Sequence, residues 1–208
     1  LENTHNRCGG SPITFDYMKA VGDLASKKGI KLHVDGARLF NAAVALGVSA
    51  RDLVAPADSV SICLSKGLSA PAGSVICGTN KFIARARRVR KVLGGGMRQA
   101  GVLAAAGIVA VTEMIDRLAE DHINAKKLAR RLDTIPGLKI EPDKVKTNII
   151  YFEIIKEKLT SEELSKRMTE KGVKVLPTGN RQIRAVTHHH IRPEDIDTAV
   201  EVFKKTMI

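Results

Sequence analysis

The sequence contains no tryptophan, and aromatic residues make up only 3% of its 208 residues. A core must therefore be built from Ala, Val, Leu and Ile, as in proteins where helices cover a mostly parallel sheet. Long apolar runs are also missing. The longest, from Ala100 to Val111, is too short and too rich in Gly and Ala to cross a bilayer. Three cysteines, Cys8, Cys63 and Cys77, lack CxxC spacing and form an odd set. Reduced thiols in a cytoplasmic or organelle-matrix setting are expected, and neither a zinc pattern nor a secretory leader is seen in these residues.

What is present is 44% hydrophobic content, enough for a sizeable core, and a formal net charge of +12. The densest basic cluster is Arg85, Arg87, Arg88, Arg90 and Lys91, on a segment predicted to be helical from Lys81 to Leu93. Phe82, Ala86, Val89 and Leu93 recur there at helical spacing, leaving the arginines on the other face. Nucleic-acid binding is not expected, because interleaved aromatics and helix-turn-helix or zinc patterns are absent. A small anionic substrate or phosphate agrees with the charge.

Ser59 to Leu64 alternates polar and apolar side chains and predicts a strand that ends in Ser65-Lys66-Gly67-Leu68. A lysine at a strand exit is either a solvated surface amine or a desolvated one that can hold a carbonyl group. A second short strand, Ile30 to Asp35, ends in a carboxylate followed by Gly36-Ala37-Arg38. An acid on one strand end and a lysine on another are what pyridoxal phosphate requires, one pairing with the pyridinium nitrogen and the other holding the aldehyde, and a parallel α/β sheet can bring such ends together at one edge.

Along the chain, helices are expected over Thr14 to Lys28, Leu39 to Leu46, Met97 to Leu132, from the Thr160-Ser161-Glu162-Glu163 capping pattern, and from Pro193. Further strands are expected at Ser74 to Cys77, Thr147 to Ile155, Val173 to Leu176 and Gln182 to Thr187. Alternating helices and strands imply an α/β fold. A domain boundary is placed at 115, giving 1–115 as part of a large domain and 116–208 as a small α/β domain. The abrupt polar opening, Leu1 to Asn6, reads as the middle of something longer. Gly94-Gly95-Gly96 followed by Arg98 is either a hinge or a phosphate approach. Arg184 on its predicted strand is either a surface residue or a carboxylate clamp. His188-His189-His190 reads as a loop, since consecutive residues cannot converge on one metal.

Five stretches occur in order: Leu1-Glu2-Asn3-Thr4-His5-Asn6, His33-Val34-Asp35-Gly36-Ala37-Arg38, Leu64-Ser65-Lys66-Gly67-Leu68, Gly94-Gly95-Gly96-Met97-Arg98-Gln99 and Arg184-Ala185-Val186-Thr187-His188. Together they resemble the low-specificity L-threonine aldolases, pyridoxal-phosphate enzymes of the aspartate aminotransferase fold (fold type I). The resemblance covers the chain from end to end but omits the N-terminal segment of such enzymes. It implies the C-terminal part of that fold. It further implies that Lys66 holds the cofactor aldehyde and Asp35 pairs with the pyridinium nitrogen. Arg38 and Arg184 would hold the substrate carboxylate, and Arg98 would reach toward the cofactor phosphate of a neighbouring subunit. His5 lies in the first of these motifs with no chemical role assigned to it, and His33, on the same strand face as Asp35, is expected to support that carboxylate.

The implied reaction is cleavage of threonine, allo-threonine or a related β-hydroxy-α-amino acid to glycine and an aldehyde, in a homodimer or homotetramer with its site at the subunit interface. Neither nucleic acid nor a membrane is implied as a partner. Another fold type I lyase of the β-eliminating kind, or a catalytically inert member of the family, are the alternatives.

Overall fold

In the computed structural model, which describes residues 1–207, the chain divides into two compact units. The first comprises Leu1–His5 and Pro12–Leu118, the second Asn6–Ser11 and Ala119–Ile208. The loop Asn6–Ser11, expected in the first domain, belongs to the second. Two hydrogen bonds hold it there: Thr147 Oγ1 donates to the Gly10 carbonyl at 2.8 Å, and Arg184 Nη1 donates to Asn6 Oδ1 at 2.8 Å.

The first unit is built on a three-stranded sheet, β1 (His33–Gly36), β2 (Ser59–Cys63) and β3 (Ser74–Gly78), in that order. β1 and β2 run parallel, with Asp35 opposite Ser61, while β3 returns antiparallel on β2. Glu2 adds a parallel bridge to Asp35 on the other side of β1. Helix α1 (Phe15–Lys27) starts where the Thr14 side chain accepts the Tyr17 N–H, one of the first-turn donors that no helical carbonyl satisfies. α2 (Leu39–Leu46) and α3 (Ala50–Leu53) follow β1. Met18, Val34, Leu39, Ala42, Leu53 and Val60 form one buried cluster. Leu64, Leu68, Ala70, Ala110 and Leu118 form a second.

α4 (Asn80–Val92) follows β3. The single helix expected from Met97 to Leu132 is two helices, α5 (Gly101–Glu113) and α6 (Leu118–Leu132). The break at Met114–Arg117 contains neither Gly nor Pro. It falls next to Leu118, which is completely buried, so packing of that side chain overrides the helical preference of the intervening residues.

The second unit has a four-stranded antiparallel sheet in the order β4 (Leu138–Lys139), β5 (Ile149–Ile154), β7 (Gln182–Val186), β6 (Leu176–Pro177). α6, α7 (Ser161–Thr169) and α8 (Pro193–Met207) complete it. The strand expected at Val173 to Leu176 shrinks to Leu176–Pro177, the two residues that pair with Arg184 and Ile183. Val173 and Val175 instead pack against the core without joining a ladder. That core includes Phe152 and Phe203, whose rings meet edge to face at 5.5 Å. Among the described residues, no helix is long and apolar enough to cross a membrane.

Candidate active site

Because β1 and β2 are parallel and in register, their carboxyl ends lie at the same end of the sheet, where ligands of open α/β sheets bind. Along β1, Val34 and Gly36 are buried while His33 and Asp35 are exposed. Asp35 Oδ1 accepts the Ala37 N–H at 2.9 Å, an Asx-type bond that pins the carboxylate at the turn into α2. Its second oxygen is left for another donor. On the same sheet face, His33 Nδ1 lies 2.9 Å from Ser59 Oγ, which makes His33 a neighbour of the carboxylate side of the sheet and not an ion-pair partner of Asp35.

Lys66 sits three residues beyond β2, at the same sheet end as Asp35. Its side chain is exposed, and among the described residues no carboxylate or carbonyl holds the ammonium. The turn that carries it is anchored on both sides: Leu64 and Leu68 are buried, and the Ser69 N–H returns to the Lys66 carbonyl at 2.9 Å. Gly67 is a close approach, since a Cβ there would lie 2.8 Å from Leu118 Cδ2 and 3.1 Å from Asn41 Oδ1. Asn41 is a buried polar side chain on the otherwise apolar α2. Only its polarity on an apolar helix face marks it in the sequence.

Gly36 is similarly constrained. A Cβ there would come within 2.9 Å of the Ser61 carbonyl oxygen and 3.0 Å of Leu39 Cβ. Neither backbone nor helix can yield easily, so Gly36→Ala is expected to destabilise the protein by about 1–3 kcal/mol, read as a lower urea midpoint. An unchanged midpoint would show that β1 and β2 are not this close.

Arg38 lies at the N-terminal boundary of α2, half-buried, and so follows Asp35 on the same turn. Arg98 is exposed in the non-helical stretch after Gly94-Gly95-Gly96, between α4 and α5. The structure thus brings Asp35, Arg38 and Lys66 to one end of one sheet, and puts Arg98 on a separate turn of the same unit.

Arg184 belongs to the second unit. It is half-buried on β7, between the buried Ile183 and Ala185. Its Nη1 donates to Asn6, and its Nε is shielded from solvent without a partner. The sequence marks Asn6 only by its adjacency to His5 in the first motif. His5 Nε2 lies 3.2 Å from Glu2 Oε2, within one turn of chain, while its Nδ1 is buried without a partner. Among the remaining histidines, burial first and the Lys126 charge second push His122 down to about 4, which keeps it neutral near pH 7. His190 meets the ring of His188 edge to face at 5.8 Å and that of His189 at a tilt at 5.1 Å, and no metal-holding cluster of His, Cys, Asp or Glu occurs among the described residues.

These residues fit pyridoxal phosphate by their donor and acceptor chemistry: a pinned carboxylate with one free oxygen, an unpaired lysine amine at the same sheet end, and guanidinium groups for anions.

The chain is similar in sequence and in fold to known proteins. Residues 1–155 match the model of the β-eliminating lyase family. The chain is 50% identical over 206 residues to an Arabidopsis thaliana protein named "Probable low-specificity L-threonine aldolase 2", covering 99% of this chain and 58% of that protein. It is 40% identical over 196 residues to the low specificity L-threonine aldolase of Escherichia coli K12, covering 94% of this chain and 56% of the relative. Among solved structures, the threonine aldolase of Leishmania major superposes with a TM-score of 0.74 at 19% identity, over 100% of this chain and 60% of that one. The chain therefore spans less than two thirds of the length of each of these proteins. With three quarters or so of its residues matched by the family model, the chain belongs to the β-eliminating lyase family.

Proposed function

We propose that the protein takes part in pyridoxal-phosphate-dependent cleavage of L-threonine, L-allo-threonine and related β-hydroxy-α-amino acids to glycine and an aldehyde. The observation that carries this reading is the parallel β1–β2 pair, which delivers Asp35 and Lys66 to one end of the sheet. The named activity of the Arabidopsis and E. coli relatives supports it.

Bound here, the cofactor would supply an electron-accepting ring that stabilises negative charge at the substrate α-carbon. Lys66 would hold the cofactor's aldehyde carbon through its amine. Asp35, fixed by the Ala37 N–H, would keep a proton on the ring nitrogen. Arg38 would hold the substrate carboxylate, the same role is assigned to Arg184, and Arg98 would serve the cofactor phosphate of a neighbouring subunit. The assembly is a homodimer or homotetramer, and the setting is the cytoplasm or an organelle matrix.

Asp35→Asn tests the assignment. The amide cannot hold the ring proton, so threonine cleavage is expected to fall at least about a hundredfold, or about 2.7 kcal/mol, while Lys66 still attaches the cofactor. Equal loss of attachment and turnover would contradict this division of roles. The family's description favours one second reading, β-elimination. Release of pyruvate from serine or cysteine, without glycine from threonine, would select it.

A further inference from the structure

Arg184 is a half-buried cation with no counter-charge among the residues that surround it. β7 is an inner strand, flanked by β5 and β6, and the residues opposite Arg184 are Tyr151 and Leu176. The one acid of β5, Glu153, is exposed and stands opposite Gln182. No carboxylate of the described residues pairs with the guanidinium. Leaving such a group uncompensated costs stability, and an anion bound from solution removes that cost.

What the guanidinium has instead is a neutral acceptor. Nη1 donates to Asn6 Oδ1 at 2.8 Å, and Nε is shielded from solvent without an acceptor. With Nη1 occupied, the parallel donors of the Nε–Nη2 side remain, a pair that matches the two oxygens of a carboxylate. An aspartate in place of Asn6 would accept the same hydrogen bond and cancel the charge. The amide fixes the guanidinium plane and leaves the charge in place.

Asn6 does not depend on Arg184 for its own position. It opens the short 3-10 turn Asn6–Cys8, and its carbonyl accepts the Gly9 N–H at 3.2 Å. Further along the loop, Gly10 has φ +67°, and a Cβ there would come within 2.6 Å of Thr147 Oγ1 and 3.1 Å of Ile149 Cδ1. Its carbonyl accepts from Thr147, which is completely buried just before β5. The loop is thus anchored beside β5 and presents Asn6 to β7 as a fixed partner. We propose, on the reading that Arg184 meets the substrate carboxylate, that Asn6 is the positioning residue of that contact: its amide holds the guanidinium with the Nε–Nη2 edge left for a carboxylate and the charge uncompensated.

The test reads the guanidinium itself and needs neither cofactor nor turnover. In the isotope-labelled 208-residue chain, the Arg184 Nε–Hε resonance is identified by its loss in Arg184→Lys, and acetate is titrated near neutral pH with acetamide as the uncharged control. Acetate is expected to shift the resonance saturably, and acetamide to leave it in place. Asn6→Ala is expected to weaken acetate binding at least about fivefold, because the guanidinium loses its fixed plane. Asn6→Asp is expected to weaken it at least about tenfold while the urea midpoint stays at or above the wild-type value, since the carboxylate keeps the bond to Nη1 and neutralises the charge. A residue that merely braced the loop would be replaced by aspartate without loss. Wild-type acetate affinity in either variant would overturn the inference and leave the role of Arg184 standing; a wild-type resonance indifferent to acetate would overturn both.

Discussion

Lys66→Ala is expected to remove the visible colour that the protein acquires with pyridoxal phosphate and to lower threonine cleavage by at least about a thousandfold, close to 4 kcal/mol of transition-state stabilisation. Lys66 stands on a turn whose neighbours are fixed: Leu64 and Leu68 are buried and Gly67 lies against Leu118 and Asn41. The amine itself is exposed and unpaired. Replacing it therefore removes a reactive group without removing a packing or ion-pair contact, and the folded state is expected to keep its stability within about 0.5 kcal/mol. Loss of colour with an unchanged urea midpoint is the signature of a chemical role. Colour that survives the substitution would assign the carbonyl-holding amine elsewhere.

Phe203→Ala is expected to cost about 3–5 kcal/mol, a large share of what a domain of this size has. Phe203 is completely buried on α8 and meets Phe152 of β5 edge to face at 5.5 Å, in a unit whose sheet is only four strands wide. Truncation leaves a cavity at the centre of the cluster and removes the ring pair, worth about 0.5–1.5 kcal/mol beyond its area. Amide exchange should show protection lost throughout β5, β7 and α8. A cost below about 1 kcal/mol would mean that the second unit is not held by this cluster.

The sequence makes some of this architecture legible and hides the rest for physical reasons. The alternation from Ser59 to Leu64, the Thr160 capping pattern, and the start of α8 at Pro193 each act through neighbours in the chain, and the elements stand where those signals put them to within a residue. Thr160 Oγ1 accepts the Glu163 N–H, as the capping pattern requires. The break between α5 and α6 has no local signal, because it is set by burial of Leu118. The Val173–Val175 stretch has β-forming residues, yet β7 offers backbone partners only to Leu176 and Pro177. Two residues are too few to announce a strand, and β4 is equally short.

The candidate site divides in the same way. Asp35 and Lys66 are readable because each ends a strand, and parallel pairing of the two strands suffices to bring them to one sheet end. Arg38 follows by chain continuity. The Asn6–Arg184 bond joins residues 178 positions apart, and nothing local to either predicts it. Gly36 and Gly67 are glycines whose need is tertiary: one faces the backbone of the next strand, the other the side chains of Leu118 and Asn41.

Covalent trapping addresses the central assignment most directly. The protein is incubated with pyridoxal phosphate, reduced with borohydride to fix any amine-bound cofactor, and digested for mass spectrometry. The account predicts one dominant modified peptide carrying the adduct on Lys66, and its loss on prior incubation with excess threonine or glycine. An adduct concentrated on another lysine, or spread over exposed lysines in proportion to their accessibility, would contradict it.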